Sequence, residues 1–181
     1  VDLSDIPGLA DIAVRDDGVH LGALVRWCDI EASAALADAH PLLRKAVDSI
    51  AHYQVRNRGT VGGSLAHGDP AAELPCIAVT CDAEISIVGA SASRRVMARD
   101  FFVGALETVL RPDELIVGLR LPSWKPGRRW SFKEFARRRG DFALGGVALH
   151  FDEDAQRRAQ AVHLGVLGTG EPPVRLSQVE S

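Results

Sequence analysis

The chain has 181 residues, 46% of them hydrophobic and 25% charged, with a formal net charge of −3. That is the composition of an ordinary globular protein with material for one good core or two small ones, and it excludes a disordered tail. Lys and Arg are scattered among Asp and Glu, which argues against a nucleic-acid partner, and no apolar run approaches the roughly 20 residues of a membrane span.

The opening residues, Val1-Asp2-Leu3-Ser4-Asp5, have neither the basic start nor the apolar stretch of a signal peptide, so the cytoplasm is the default expectation. Val19 to Leu24 reads as a short strand after the turn Asp16-Asp17-Gly18, and Asp29 to Ala39 as a helix. His40-Pro41 interrupts it. Pro41 suits the first turn of a next helix, whose apolar face is Leu42, Leu43, Ala46, Val47 and Ile50 and whose end is expected near Tyr53. Arg56 to Pro70 contains Gly59, Gly62, Gly63 and Gly68 with little apolar periodicity, and is predicted to be a functional loop. Ala71 to Thr80 returns to helix.

From Ala83 the period changes to two. Glu84 to Ile87 and Arg94 to Met97 are predicted to pair across a turn at Gly89 to Ser93, and Leu115 to Leu121 forms a further strand. After a break at Pro122 to Gly127, three segments, Trp130 to Ala136, Leu144 to Phe151 and Val162 to Leu167, read as an antiparallel meander. The expected division is therefore residues 1–125 and 126–181. Cys28, Cys76 and Cys81 form no Cys-x-x-Cys pair and are expected to be reduced and buried. The six histidines never fall at i, i+4 on one helix with a carboxylate, so no metal site is expected in this chain.

The segment from Asn57 to Leu74 carries the functional reading. Gly62 and Gly63 permit positive φ and close approach, so backbone N–H groups there can converge on a pyrophosphate, with the Thr60 and Ser64 hydroxyls as extra donors. Asp69 is a plausible N-cap of the next helix, Pro70 its first residue, and Glu73 a plausible acceptor for ribityl hydroxyls. A glycine pair between two helices is also what a tight turn looks like. It is neither a dinucleotide-binding Gly-x-Gly-x-x-Gly nor a Gly-Lys-Ser/Thr phosphate loop, and no nucleophile elbow of the Gly-x-Ser-x-Gly kind is present.

The whole string from Arg56 to Ser64, with Asp69-Pro70-Ala71-Ala72-Glu73-Leu74-Pro75, resembles the second FAD-contacting loop of the medium subunit of carbon monoxide and xanthine dehydrogenases, the molybdenum hydroxylases. Three further stretches fit in order: Asp100 to Gly104, Asp113 to Ile116 with Leu121-Pro122, and Phe132 to Ala143. The resemblance implies an α+β fold, the larger lobe of a split FAD-binding domain of the vanillyl-alcohol-oxidase type followed by part of an antiparallel C-terminal domain. It implies FAD held by Thr60, Gly62, Gly63, Ser64 and Glu73, with Ile116 against the flavin through its backbone, Phe142 beside the ring, Lys133 near the FAD, and no catalytic acid or base in the chain. Phe142 is equally readable as a core residue.

Molybdopterin and 2Fe-2S clusters are implied in partners, a molybdenum-containing large subunit and an iron–sulfur small subunit, with electrons passing from FAD to NAD or a quinone. Two departures stand out. Ser64 occupies a place where the family often has Asn, and the family's earlier glycine-rich loop and later helical stretch lie outside these residues, so the chain is expected to be the interior of a longer protein and to grip FAD poorly alone. His67 is either a cofactor contact or an exposed loop residue, and Arg137-Arg138-Arg139 either a solvated edge or a face for an acidic partner. Two alternatives remain: a scaffold remnant of this fold that no longer holds FAD, and a stand-alone flavoenzyme such as an enolpyruvyl-sugar reductase.

Overall fold

The computed structural model describes residues 2–180. The chain opens with a hairpin, β1 (Ile12–Arg15) and β2 (Gly18–Gly22), the first strand of which carried no clear pattern in the sequence. Six short helices follow: α1 (Trp27–Ala32), α2 (Ala34–Ala39), α3 (Pro41–Val47), α4 (Tyr53–Arg56), α5 (Val61–His67) and α6 (Glu73–Thr80). Then come β3 (Glu84–Gly89), β4 (Ser93–Met97), a small hairpin of β5 (Phe102–Gly104) and β6 (Glu107–Thr108), and β7 (Glu114–Pro122). The chain ends with β8 (Arg129–Phe135), β9 (Gly145–Glu153), β10 (Ala159–Leu167) and β11 (Val174–Arg175).

The strands build two main sheets. One has five antiparallel strands in the order β1-β2-β7-β3-β4, and the other four in the order β11-β10-β9-β8, so the predicted meander is present with one short strand added. The α+β reading and the β3–β4 hairpin match the structure, and Glu84 does face Met97. One continuous cluster of buried side chains runs from Val19 through the helices to Phe132, Ala148 and Leu167 on the second sheet. Helix α6 is its hub. Every residue from Leu74 to Thr80 is buried, and at about 1.5–3 kcal/mol for a fully buried Leu, Ile or Val this helix ties the two sheets together.

The helical region departs from expectation in three places. The single helix expected over Asp29 to Ala39 is broken at Ser33, whose hydroxyl accepts the N–H of Leu36 at 3.3 Å and starts a second helix. A serine that can cap competes with one that continues a helix, and here the cap wins. Helix α3 begins at Pro41 as predicted, with the His40 ring as its N-cap (Leu43 N–H to Nδ1, 3.1 Å), but it ends at Val47 rather than near Tyr53. Tight turns carry Ser49 and Ile50 onto the carbonyls of Ala46 and Val47 instead. The stretch Arg56 to Pro70, expected as a loop, contains the whole of helix α5, flanked by turns.

The segment that joins the two sheets is pinned by aromatic rings. Trp124 lies between His40 (centroids 4.6 Å) and His150 (5.4 Å), and His150 stacks on His163 at 4.3 Å. Arg128 covers Trp124 at 5.2 Å and bonds Asp152 on β9. Cys76 and Cys81 are buried, as the sequence suggested, whereas Cys28 is only half-buried on α1. Among the described residues no helix is long and apolar enough to cross a membrane.

Candidate functional site

Thr60 sits in extended conformation ahead of α5 and its Oγ1 accepts the N–H of Gly63 at 3.1 Å, the usual arrangement of a threonine N-cap. The next N–H groups turn inward: Val61 donates to the Val25 carbonyl (2.9 Å) and Gly62 to that of Ala23 (2.7 Å). The N–H groups expected to converge on a pyrophosphate are therefore already engaged within the protein. A capped helical start replaces the open anion-binding loop, because the first orphan donors of a helix take the nearest acceptors. Gly62 is buried, and a Cβ on it would lie 2.7 Å from the Ala23 Cβ. Gly63, one step round the helix, is exposed.

The exit from α5 also differs from expectation. Asp69 does not cap α6; its Oδ1 accepts the N–H of Ala71 at 2.8 Å in a local turn, and Ala72 is the N-cap residue. Pro70 precedes the helix, and its carbonyl accepts the N–H of Gly168 from the second sheet at 2.8 Å. The turn thus ties the helices to the second sheet, and Glu73, next after it, stands on the wall of the space between them.

That space is a cleft of about 730 Å³. Thr60, Gly63, Ser64, Glu73 and Phe142 all line it, brought together from α5, α6 and the β8–β9 connection. Gly62 lies behind its wall. Ile116 and Lys133 do not line it: Ile116 is buried on β7 opposite Ile87, and Lys133 is exposed on β8 opposite Val147. Trp27, Ile50 and Val55 supply apolar walls, while His52, His67 and Asp69 supply polar edges. The exposed His67 belongs to this rim. Sequence reasoning passed over Trp27, Ile50, His52 and Val55, which carry no common spacing and meet only because three short helices fold back on one another.

Phe142 is 77% exposed, so it is not a core residue. Burying it requires something in the cleft. Glu73 is mostly enclosed, and burial pushes its carboxyl up to about 7, with the charges of Glu134 and Asp69 adding to the effect against its own backbone hydrogen bond. At neutral pH its side chain is therefore shared between neutral and ionised forms, able to donate as well as accept.

Walls of aromatic and aliphatic groups with a few convergent polar ones, in a volume of this size, define a domain that holds a large organic ligand. Residues 1–124 match the family described as the FAD binding domain in molybdopterin dehydrogenase, and the chain belongs to that family. It is 37% identical over its entire length to 6-hydroxypseudooxynicotine dehydrogenase complex subunit alpha of Paenarthrobacter nicotinovorans, and spans 61% of that protein. Among solved structures it is similar to carbon monoxide dehydrogenase from Hydrogenophaga pseudoflava, with TM-score 0.93 and 31% identity over 97% of this chain and 61% of that one. Quinoline 2-oxidoreductase from Pseudomonas putida 86 aligns with TM-score 0.92 and 33% identity, over 99% of this chain and 62% of the other. The chain thus spans about three fifths of the proteins it resembles.

Proposed function

We propose that this chain is the FAD-holding part of an electron-transfer subunit in a molybdenum hydroxylase complex, with the cleft between α5, α6 and the β8–β9 connection as the flavin site. In this reading residues 1–125 form the second lobe of the FAD-binding domain and 126–181 part of the domain that follows. The carrying observation is the convergence of five residues, Thr60, Gly63, Ser64, Glu73 and Phe142, on one largely apolar cleft. The cleft's own features fit such a group: an exposed phenylalanine in need of cover, a glycine that leaves the helix wall open, and a carboxyl that can bond a hydroxyl or a carbonyl.

FAD, when bound, supplies two-electron storage between iron–sulfur clusters of a small subunit, themselves fed by a molybdenum-containing large subunit, and an acceptor, NAD or a quinone; the protein's share is position and electrostatics. Phe142 covers the ligand and excludes water. The Thr60 and Ser64 hydroxyls and Glu73 orient it, and the Trp27, Ile50 and Val55 walls give it an apolar bed. Gly62 acts one layer back, by letting α5 approach Ala23 closely enough to set the wall. Ile116 enters the reading only through its backbone, next to Val117, whose carbonyl accepts the N–H of Ala23 at 3.2 Å. Lys133, on the exposed side of β8, is the weakest member of the set. Nothing among the relatives, which are dehydrogenase and hydroxylase subunits, favours the scaffold alternative.

The test is retention of flavin. The protein as made in its host is passed through gel filtration, and FAD is measured by absorbance for the wild type, Ser64→Val and Phe142→Ala. Both variants are expected to lose most of their flavin while keeping their far-UV circular dichroism. Full retention by both would refute the placement of FAD in this cleft.

A further inference from the structure

A second hollow of about 630 Å³ lies on the far side of Gly140, which lines both. Gly140 has φ +87, and a Cβ on it would collide with the His52 ring, so the partition between the two spaces is backbone packed on imidazole with no room for a side chain. The second hollow differs in chemistry from the first. Its walls are charged: Lys45 from α3, Arg56 from α4, Arg138 and Arg139 from the β8–β9 connection, with Glu31 and Glu134 among them.

The charges do not cancel. Arg56 is paired with Glu31 (Nε to Oε1, 2.9 Å), and Asp48, on the same rim, is engaged by Arg44. Lys45, Arg138 and Arg139 have no carboxylate partner among the described residues, which leaves Glu134 to face three cations. Burial raises the pKa of the Glu134 carboxyl.

Two buried polar atoms on this wall also lack hydrogen bonds. One is Glu134 Oε2, and the other is Arg56 Nε, which is close to Glu31 but makes no aligned bond with it. Buried polar atoms without a partner are rare in native proteins and point to a missing water, ion or ligand. Arg56 is at the same time held in place, since its Nη1 donates to the carbonyls of Ile50 (2.9 Å) and Ala51 (3.0 Å). A cation fixed in advance loses little entropy on binding.

We propose that this second hollow binds a phosphorylated small molecule bearing a hydroxyl beside its phosphate, such as a sugar phosphate, with Lys45, Arg138 and Arg139 on the phosphate and Glu134 Oε2 accepting from the hydroxyl. Three unpaired cations match the charge of a phosphate, about −1.5 to −2, better than that of a single carboxylate, and guanidinium groups suit its oxygens geometrically. The concavity has the size of a small-molecule site rather than of a flat protein interface. The site is independent of the flavin reading, since none of these side chains belongs to the first cleft.

Calorimetric titration with ribose 5-phosphate, inorganic pyrophosphate and plain ribose at low salt tests it. Ribose 5-phosphate and pyrophosphate are expected to bind saturably with dissociation constants below about 1 mM, and ribose not at all. Losing one charge-assisted contact weakens binding by about tenfold or more, so Arg138→Glu and Arg139→Glu should each do so, while Arg137→Glu, next in sequence but outside the hollow, changes it by less than about threefold. Glu134→Ala should weaken ribose 5-phosphate and leave pyrophosphate as tight or tighter. Absence of saturable binding by both phosphates overturns the proposal, as does an Arg137→Glu effect equal to that of Arg138→Glu, which would reduce it to diffuse attraction by a basic surface.

Discussion

Replacing Glu73 by Gln removes one ionisation from the wall of the cleft and little else, since the amide has the same shape. Burial carries the carboxyl from its ordinary 4.5 up to about 7, so ionising it costs the folded protein about 3 kcal/mol relative to the unfolded chain. Below pH 4.5 the side chain is neutral in both states and the penalty vanishes. Between 4.5 and 7 the unfolded chain releases its proton while the folded one keeps it, so stability falls as pH rises; above 7 the penalty is complete. Glu73→Gln should therefore leave stability nearly unchanged at pH 4 and raise it by up to about 3 kcal/mol at pH 8, read from urea unfolding of flavin-free protein across that range. Because Glu134 and Asp69 contribute to the same effect, Glu134→Gln should recover a part of the gain. A difference between Glu73→Gln and wild type that stays flat from pH 4 to pH 8 would show that Glu73 is solvated, and the account of the cleft wall would fail with it.

Gly62→Ala should destabilise the fold by about 1–3 kcal/mol, since the added methyl meets the Ala23 Cβ at 2.7 Å, whereas a methyl on Gly63 would meet only the Thr60 Oγ1 that caps α5, at 2.9 Å, and should cost about 1 kcal/mol, the worth of that cap; urea midpoints of the two variants compare them directly. Thr60→Ala removes the cap of α5 and should cost about 1 kcal/mol in the same assay, with no loss if the Gly63 N–H finds water instead. His40 and His150 have their pKa values pushed down by burial, to about 4 and about 3, so both are neutral in the fold and resist protons that the unfolded chain takes up below about 6.5. His40→Asn keeps an N-cap acceptor on α3 and removes the titration, so its acid-unfolding midpoint should move to lower pH; a midpoint that moves upward would contradict the buried neutral ring.

The sheets were more legible in the sequence than the helices, and the reason is length. Strands such as β7 and β9 extend over nine residues and pair along that whole length, so alternation accumulates enough signal to place them. Helices of four to eight residues complete only one or two turns, too few for a 3.6-residue period to declare itself. Their ends are decided by single side chains: Ser33 accepting from Leu36, His40 accepting from Leu43, Thr60 accepting from Gly63. The Ser33 hydroxyl can equally sit inside a helix, and the sequence alone does not say which.

The site was legible where residues are neighbours in the chain and obscure where they are not. Thr60 to Ser64 and Glu73 belong to one continuous string, so composition alone drew attention to it. The glycine N–H groups expected to meet a pyrophosphate have partners within the protein, Gly62 on the Ala23 carbonyl and Gly63 on Thr60 Oγ1. A Gly-Gly pair leaves two uses open, close approach to a ligand and close approach to another part of the protein, and only the contacts of the first helical turn decide between them. Here they divide: Gly62 faces Ala23 and sets the packing of α5, while Gly63 faces the cleft. The same division explains why Trp27, Ile50 and Val55 went unnoticed. Each is an ordinary apolar residue in a short helix or at its edge, and it acquires a place in the cleft only because Val61 and Gly62 donate to the carbonyls of Val25 and Ala23, drawing α5 back across the start of α1.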